Sequence, residues 1–153
     1  MLTKEALEVD LRSAMRAGDD VRKRTLRMVL TEIKFVEVDR RGPLDEPAIL
    51  VVLQKEAKYR RDTIEEAKRA NRNDMVASTQ AEIDVLQDYL PQPLTPDELE
   101  TLARQVIDEV EASGPEFVGK VMKVLMPRVL GRTEGKAVNA LVRNLLNELQ
   151  SDP

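Results

Sequence analysis

Six cations near the end of the chain face a single acid, and the chemistry such a set could do is anion binding. Residues 117–147 carry Lys120, Lys123, Arg128, Arg132, Lys136 and Arg143 against a single acid, Glu134, a net of +5 in a chain of net charge -4. A local field of this kind steers an anionic partner even when the whole molecule is acidic. Lys120 and Lys123 are three apart and so share a helix face. Arg132, Lys136 and Arg143 fall at or beyond the expected start of the final helix, where free N–H groups and a partial positive charge suit a phosphate. Gly119, Gly131 and Gly135 bring no side chain to hold a phosphate backbone at a distance. The same cations equally suit a solvated face, and the same glycines equally suit turns and close helix packing.

Residues suited to turnover are harder to find. Histidine and cysteine are both absent. Ser-His-Asp catalysis, Cys-His catalysis, thiolate metal sites and disulfides are therefore all excluded. The run GRTEGK at 131–136 resembles a phosphate-binding loop only faintly. Its glycines are one residue too close, Ala137 replaces the magnesium-binding hydroxyl, and no strand precedes it. Glu65-Glu66 and Asp108-Glu109 are neighbours in sequence and point about 100° apart on a helix, so they form no acid/base dyad. A two-metal helical bundle needs Glu-x-x-His, and the chain has no His. The expectation is no catalytic residue, no metal and no cofactor.

Two further stretches are basic. Residues 21–34 hold Arg22, Lys23, Arg24, Arg27 and Lys34. Residues 54–72 hold Lys55, Lys58, Arg60, Arg61, Lys68, Arg69 and Arg72, with Glu56, Asp62, Glu65 and Glu66 interleaved. Spacings of three and four favour pairing within a helix, so structure and solubility are the leading expectation there, with contact to an acidic partner or an RNA backbone as the other.

The elements that must position these residues are helices. Apolar residues make up 42% of the 153 and aromatic residues only 3%, so the core is aliphatic. Thr3 caps a helix with Leu7, Leu11, Ala14 and Met15 in register, stopped by Gly18. Asp19 or Asp20 starts a second, running to about Val38 before Arg40-Arg41-Gly42-Pro43. Asp45-Glu46-Pro47 opens a long third helix to about Ala70, and a fourth is expected from Met75 to Leu90. Pro91-Gln92-Pro93 breaks the pattern. Thr95-Pro96-Asp97-Glu98 is a capping box for a fifth helix ending at Ser113-Gly114. A short sixth helix at 115–126 is expected to end at Pro127, and Thr133 to cap a seventh. The fold class expected is all-α, with an amino-terminal four-helix module (1–93) joined by a proline-rich hinge to a smaller three-helix module (94–153). The first twenty residues lack the apolar core of a signal peptide, and no run reaches the roughly 20 apolar residues of a membrane span. A cytoplasmic protein without a membrane partner is expected.

Three blocks resemble the YqeY family: AMRAGDDVRKRTLRMVLTEIK at 14–34, LQKEAKYRRDTIEEAKRANRNDMVASTQAEIDVLQDYLP at 53–91, and GKVMKVLMPRVLGRTEGKAVNALVRNLL at 119–146. Phe117-Val118 departs from the family, which usually has a Met just before Gly-Lys. That family is similar to the tail domain of the B subunit of the tRNA-dependent Asp/Glu amidotransferase (GatB). The resemblance implies an all-helical fold, and it implies tRNA and the amidotransferase or aminoacyl-tRNA machinery as partners. It also implies kinship, without activity of this chain's own, to carbon–nitrogen ligases using glutamine as amide donor. The residues it points to for RNA are Lys120, Lys123, Arg128, Arg132, Lys136 and Arg143 with Gly119 and Gly131. With so few aromatics to stack on bases, shape and phosphate would be recognised. The reading from another class is a protein-interaction adaptor without RNA binding.

Overall fold

The structure, a computed structural model, describes residues 1–151. Among them are seven α-helices, one short 3-10 turn and no strand. The chain divides into two compact units, Met1–Pro91 and Gln92–Pro153.

The first unit contains α1 (Lys4–Ala17), α2 (Asp20–Arg40), α3 (Glu46–Arg69) and α4 (Asn73–Gln87). Three begin on a side-chain cap, with the oxygens of Thr3, Asp19 and Asp45 accepting the N–H of Ala6, Arg22 and Ala48 at 3.1 Å each. Each bond satisfies a donor that the helix itself leaves free. Gly18 ends α1 in the left-handed region (φ 69°). Arg41 (φ 58°) does the same for α2, and Asn71 (φ 56°) turns the chain between α3 and α4. Helix α2 packs on α1, α3 and α4, because its apolar positions bury Leu26, Val29 and Ile33 against Leu7, Ile49, Leu53, Ala57 and Leu86. Each fully buried Leu or Ile contributes about 1.5–3 kcal/mol. A polar lash closes the unit where α4 ends. Tyr89 donates to Asp10 Oδ2 at 2.6 Å and accepts from Arg22 Nη1 at 3.3 Å, while Arg22 also pairs with Asp88.

The second unit contains α5 (Pro96–Glu109), α6 (Val118–Val129) and α7 (Gly135–Ser151). The capping box on α5 is complete, with Glu98 N–H on Thr95 Oγ1 at 3.1 Å and Thr95 N–H on Glu98 Oε2 at 2.9 Å. A separate aliphatic core gathers Leu99, Val106, Val121, Leu125, Val129, Val142 and Leu146.

The boundaries of four helices differ from expectation, and α4 is the first, running Asn73–Gln87 in place of Met75–Leu90. Helix α5 stops at Glu109, with Glu111 (φ 55°) turning the chain before Gly114 is reached. Residues 115–117 form the 3-10 turn, and α6 runs through Pro127 to Val129. Proline withholds one hydrogen bond from the carbonyl four residues back, a cost confined here to the last turn. Continuing the helix keeps Val129 in the core with no exposed surface. Helix α7 begins at Gly135, with Val138 N–H bonding the Glu134 carbonyl, so the cap position falls one residue after Thr133.

Candidate functional site

The six cations and two glycines lie on α6, α7 and the turn between them, and the structure sorts them into two kinds. Lys120 and Lys123 stand exposed on one face of α6, beside Gly119, around which a Cβ would meet only open space. Lys123 makes no ion pair among the described residues, and Lys120 lies 5.9 Å over the Phe117 ring, a weak cation–π contact. No side chain caps the start of α6, where the 3-10 turn leads in and Val118 N–H bonds the Pro115 carbonyl. On α7, Lys136 and Arg143 are exposed and seven residues apart, two turns along the same face. Arg143 bonds Asn139 of its own helix at 2.7 Å. These four project charge to solvent.

Arg128, Arg132 and Gly131 already hold the unit together. Arg128 grips Glu109 with two parallel bonds of 3.0 and 2.7 Å, tying the end of α6 to the end of α5. That contact keeps the Glu109 carboxyl below the usual carboxylate range and raises Arg128. Arg132 Nε donates to the Gln92 carbonyl at 2.8 Å, and its own carbonyl accepts Leu94 N–H at 3.0 Å. This double stitch fastens the segment entering α5. Gly131 is buried and adopts φ 79°, which makes the turn possible. Spacing along the sequence does not distinguish these residues from the lysines, because their partners lie 19 and 40 residues away.

Among the described residues no group of three or more acids is placed to hold a metal ion, and no helix is long and apolar enough to cross a membrane.

The model of Yqey-like proteins matches residues 4–146, across both units. The chain belongs to the YqeY-like family. Its relatives include three fungal proteins named Altered inheritance of mitochondria protein 41, mitochondrial. That of Lachancea thermotolerans is 38% identical over 114 residues, covering 72% of this chain and 61% of its own length. Those of Pyrenophora tritici-repentis and Kluyveromyces lactis are 30% and 31% identical over 137 residues, covering 88% and 87% of this chain and 72% and 70% of theirs. The YqeY-like chain thus spans less than two thirds of the Lachancea protein. The expectation of a cytoplasmic protein is corrected by these relatives, which are named as mitochondrial. That expectation rested on signals of secretion and of membrane insertion, which do not bear on entry into an organelle.

A second constellation in this family member is hidden at the level of sequence. Arg60 sits among the solvated cations of α3 in the sequence, yet it is 3% exposed. Its Nη1 bonds Glu56 Oε2 at 2.6 Å and the Glu56 carbonyl at 3.1 Å, the pairing its spacing of four suggests. Its burial comes from α2 and α4, which contribute Met28 and Glu82. Only the apolar period on the far side of α3 carries a hint of that.

Proposed function

We propose that the chain is a non-catalytic tRNA-binding accessory protein whose second unit touches RNA through α6 and α7. The observation that carries this reading is the exposed pair Lys120–Lys123 beside bare Gly119, with Lys136 and Arg143 exposed on α7. Arg128 and Arg132 contribute by fixing the helices that present these cations. The likeness of YqeY-like proteins to the tail of the amidotransferase B subunit supports RNA as the anion and kinship to glutamine-dependent carbon–nitrogen ligases. The absence of histidine and cysteine from the chain supports a role in holding RNA, with chemistry left to partners.

Filter binding with bulk tRNA over a salt series tests the reading. Removing one cation that neutralises a phosphate should reduce the log–log salt slope by about 1. Reversing Lys120 and Lys123 to Glu should therefore flatten the slope by about 2 and weaken different tRNAs alike, since phosphate contacts do not read bases. Stability should stay within about 0.5 kcal/mol, because both side chains are exposed. Reversing Lys68 and Arg69, exposed at the end of α3, is the control and should change binding less. No binding by the wild type at low salt, or an equal effect in the control, would sink the proposal. A protein-interaction adaptor would then lead, favoured by Phe35 and Val38, which stand 64% and 70% exposed on α2.

A further inference from the structure

We infer that the first unit holds a binding site for a small uncharged molecule bearing a carbonyl and an apolar body, in the cleft floored by Arg60. The cleft is about 400 Å³ and is formed by α2, α3 and α4, within the size range of ligand sites. It is remote in sequence from the RNA-contact residues and independent of that reading.

The floor is an arginine whose donors are incompletely used. Nη1 is satisfied by Glu56. Nη2 meets only the Met28 sulfur at 3.5 Å and the Glu82 carboxylate at 3.6 Å. Nε is buried and has no acceptor from the protein. A buried donor left without an acceptor is destabilising, so a group that supplies the acceptor is favoured there. Thr79 lines the same cleft and is 6% exposed, and its hydroxyl makes no hydrogen bond among the described residues. An arginine with an unused donor and a threonine hydroxyl thus line one cleft.

Charge decides what the acceptor is. Arg60 and Arg24 face Glu56 and Glu82, the latter within 3.6 Å of both arginines. Two cations against two carboxylates leave the floor neutral. At the rim, Arg72 pairs with Asp74 at 3.3 Å and is neutral as well. An anion would meet Glu56 and Glu82, and a cation would meet Arg60. An uncharged carbonyl, accepting from Nε and from the Thr79 hydroxyl, meets neither penalty.

The walls decide the body. Met28, Tyr59 and Met75 line the cleft and remain 45%, 66% and 42% exposed. Aromatic and thioether side chains form adaptable apolar surface. Met28 touches Nη2 through its sulfur at 3.5 Å, and its unbranched, flexible chain can re-pack around a ligand.

Three probes with one ring and different heads test this on the full chain: benzamide, toluene and benzoate. The readout is the Nε–Hε resonance of Arg60 in ¹⁵N-labelled protein, assigned by its disappearance in Arg60→Lys. Benzamide should shift it saturably, with toluene and benzoate weaker by about tenfold or more. Thr79→Val, similar in shape, should weaken benzamide while keeping the helical circular dichroism. Should Arg60→Lys fail to fold, Thr79→Val decides. The inference is overturned if toluene matches benzamide (a bare apolar groove), or if benzoate binds best (an anion site). It is overturned equally if Thr79→Val binds as wild type, or if the resonance stays fixed because a retained water already serves Nε.

Discussion

Tyr89 is the residue on which the end of the first unit is fastened. Its hydroxyl donates to Asp10 on α1 and accepts from Arg22 on α2, so one side chain ties the segment after α4 to two helices. Burial, and then the bond to Asp10, push its pKa up from 10.0 to about 12. A folded-state value above the unfolded one means that the native chain prefers the protonated phenol. The associated stability is complete below pH 10 and is lost as pH rises through about 12. Tyr89→Phe should cost about 1–2 kcal/mol at neutral pH, since the bond removed is to a charged acceptor at a partly exposed site. The gap between variant and wild type should narrow above pH 10, because only the wild type has a phenol to ionise. Urea midpoints at several alkaline pH values check both statements, and a gap independent of pH would contradict the assigned cause. Arg128 offers a second test at this scale. Arg128→Gln should return the Glu109 carboxyl toward its ordinary range from its lowered position, as carbon-detected titration of that side chain would show.

At the scale of elements, local chemistry explains where most helices begin. Thr95→Ala removes one half of the capping box on α5 and should cost about 1 kcal/mol, measured by urea unfolding. Gly131→Ala, at φ 79°, should cost about 1–2 kcal/mol, since an L side chain resists the left-handed region. The same locality explains what could be read from the sequence. Thr3, Asp19, Asp45 and Thr95 announce their helices because a cap and the N–H it satisfies lie three residues apart. The shared face of Lys120 and Lys123 is legible for the same reason, as helical periodicity places it. Pro127 misleads because burial of Val129 outweighs a local preference. Arg128, Arg132 and Arg60 are opaque for one common cause. Each is assigned its environment by an element distant in sequence, and no spacing rule distinguishes a cation that will meet Glu109, Gln92 or Glu82 from one that will meet water.

At the scale of the molecule, the distribution of charge within the second unit matters more than its sum. Residues 92–153 carry seven Lys and Arg against ten Asp and Glu, a net of -3, and residues 1–91 carry seventeen against eighteen, a net of -1. The second unit is thus the more acidic, which on net charge alone makes it the poorer candidate for RNA. Its charges are segregated, however. Residues 97–116 hold Asp97, Glu98, Glu100, Asp108, Glu109, Glu111 and Glu116 with only Arg104, whereas residues 117–147 hold the six cations with Glu134. The segregation is one of sequence, and the Arg128–Glu109 pair joins the two stretches in space, so on the RNA-contact proposal the exposed Lys120, Lys123, Lys136 and Arg143 carry the field that would orient the encounter. Each unit also has its own aliphatic core. Cut between Pro91 and Gln92, both pieces should keep helical circular dichroism. The carboxy-terminal piece should melt lower, since about 60 residues bury a smaller fraction of their surface. Bulk tRNA should be retained by that piece at low salt and released steeply as salt rises, while the piece ending at Pro91 stays folded and binds less. If the more nearly neutral amino-terminal piece bound tRNA as tightly, net charge would outweigh its arrangement, and α6 and α7 would lose their claim to the contact. If neither piece folded alone while the whole chain unfolded cooperatively, the two cores would be parts of a single stability unit.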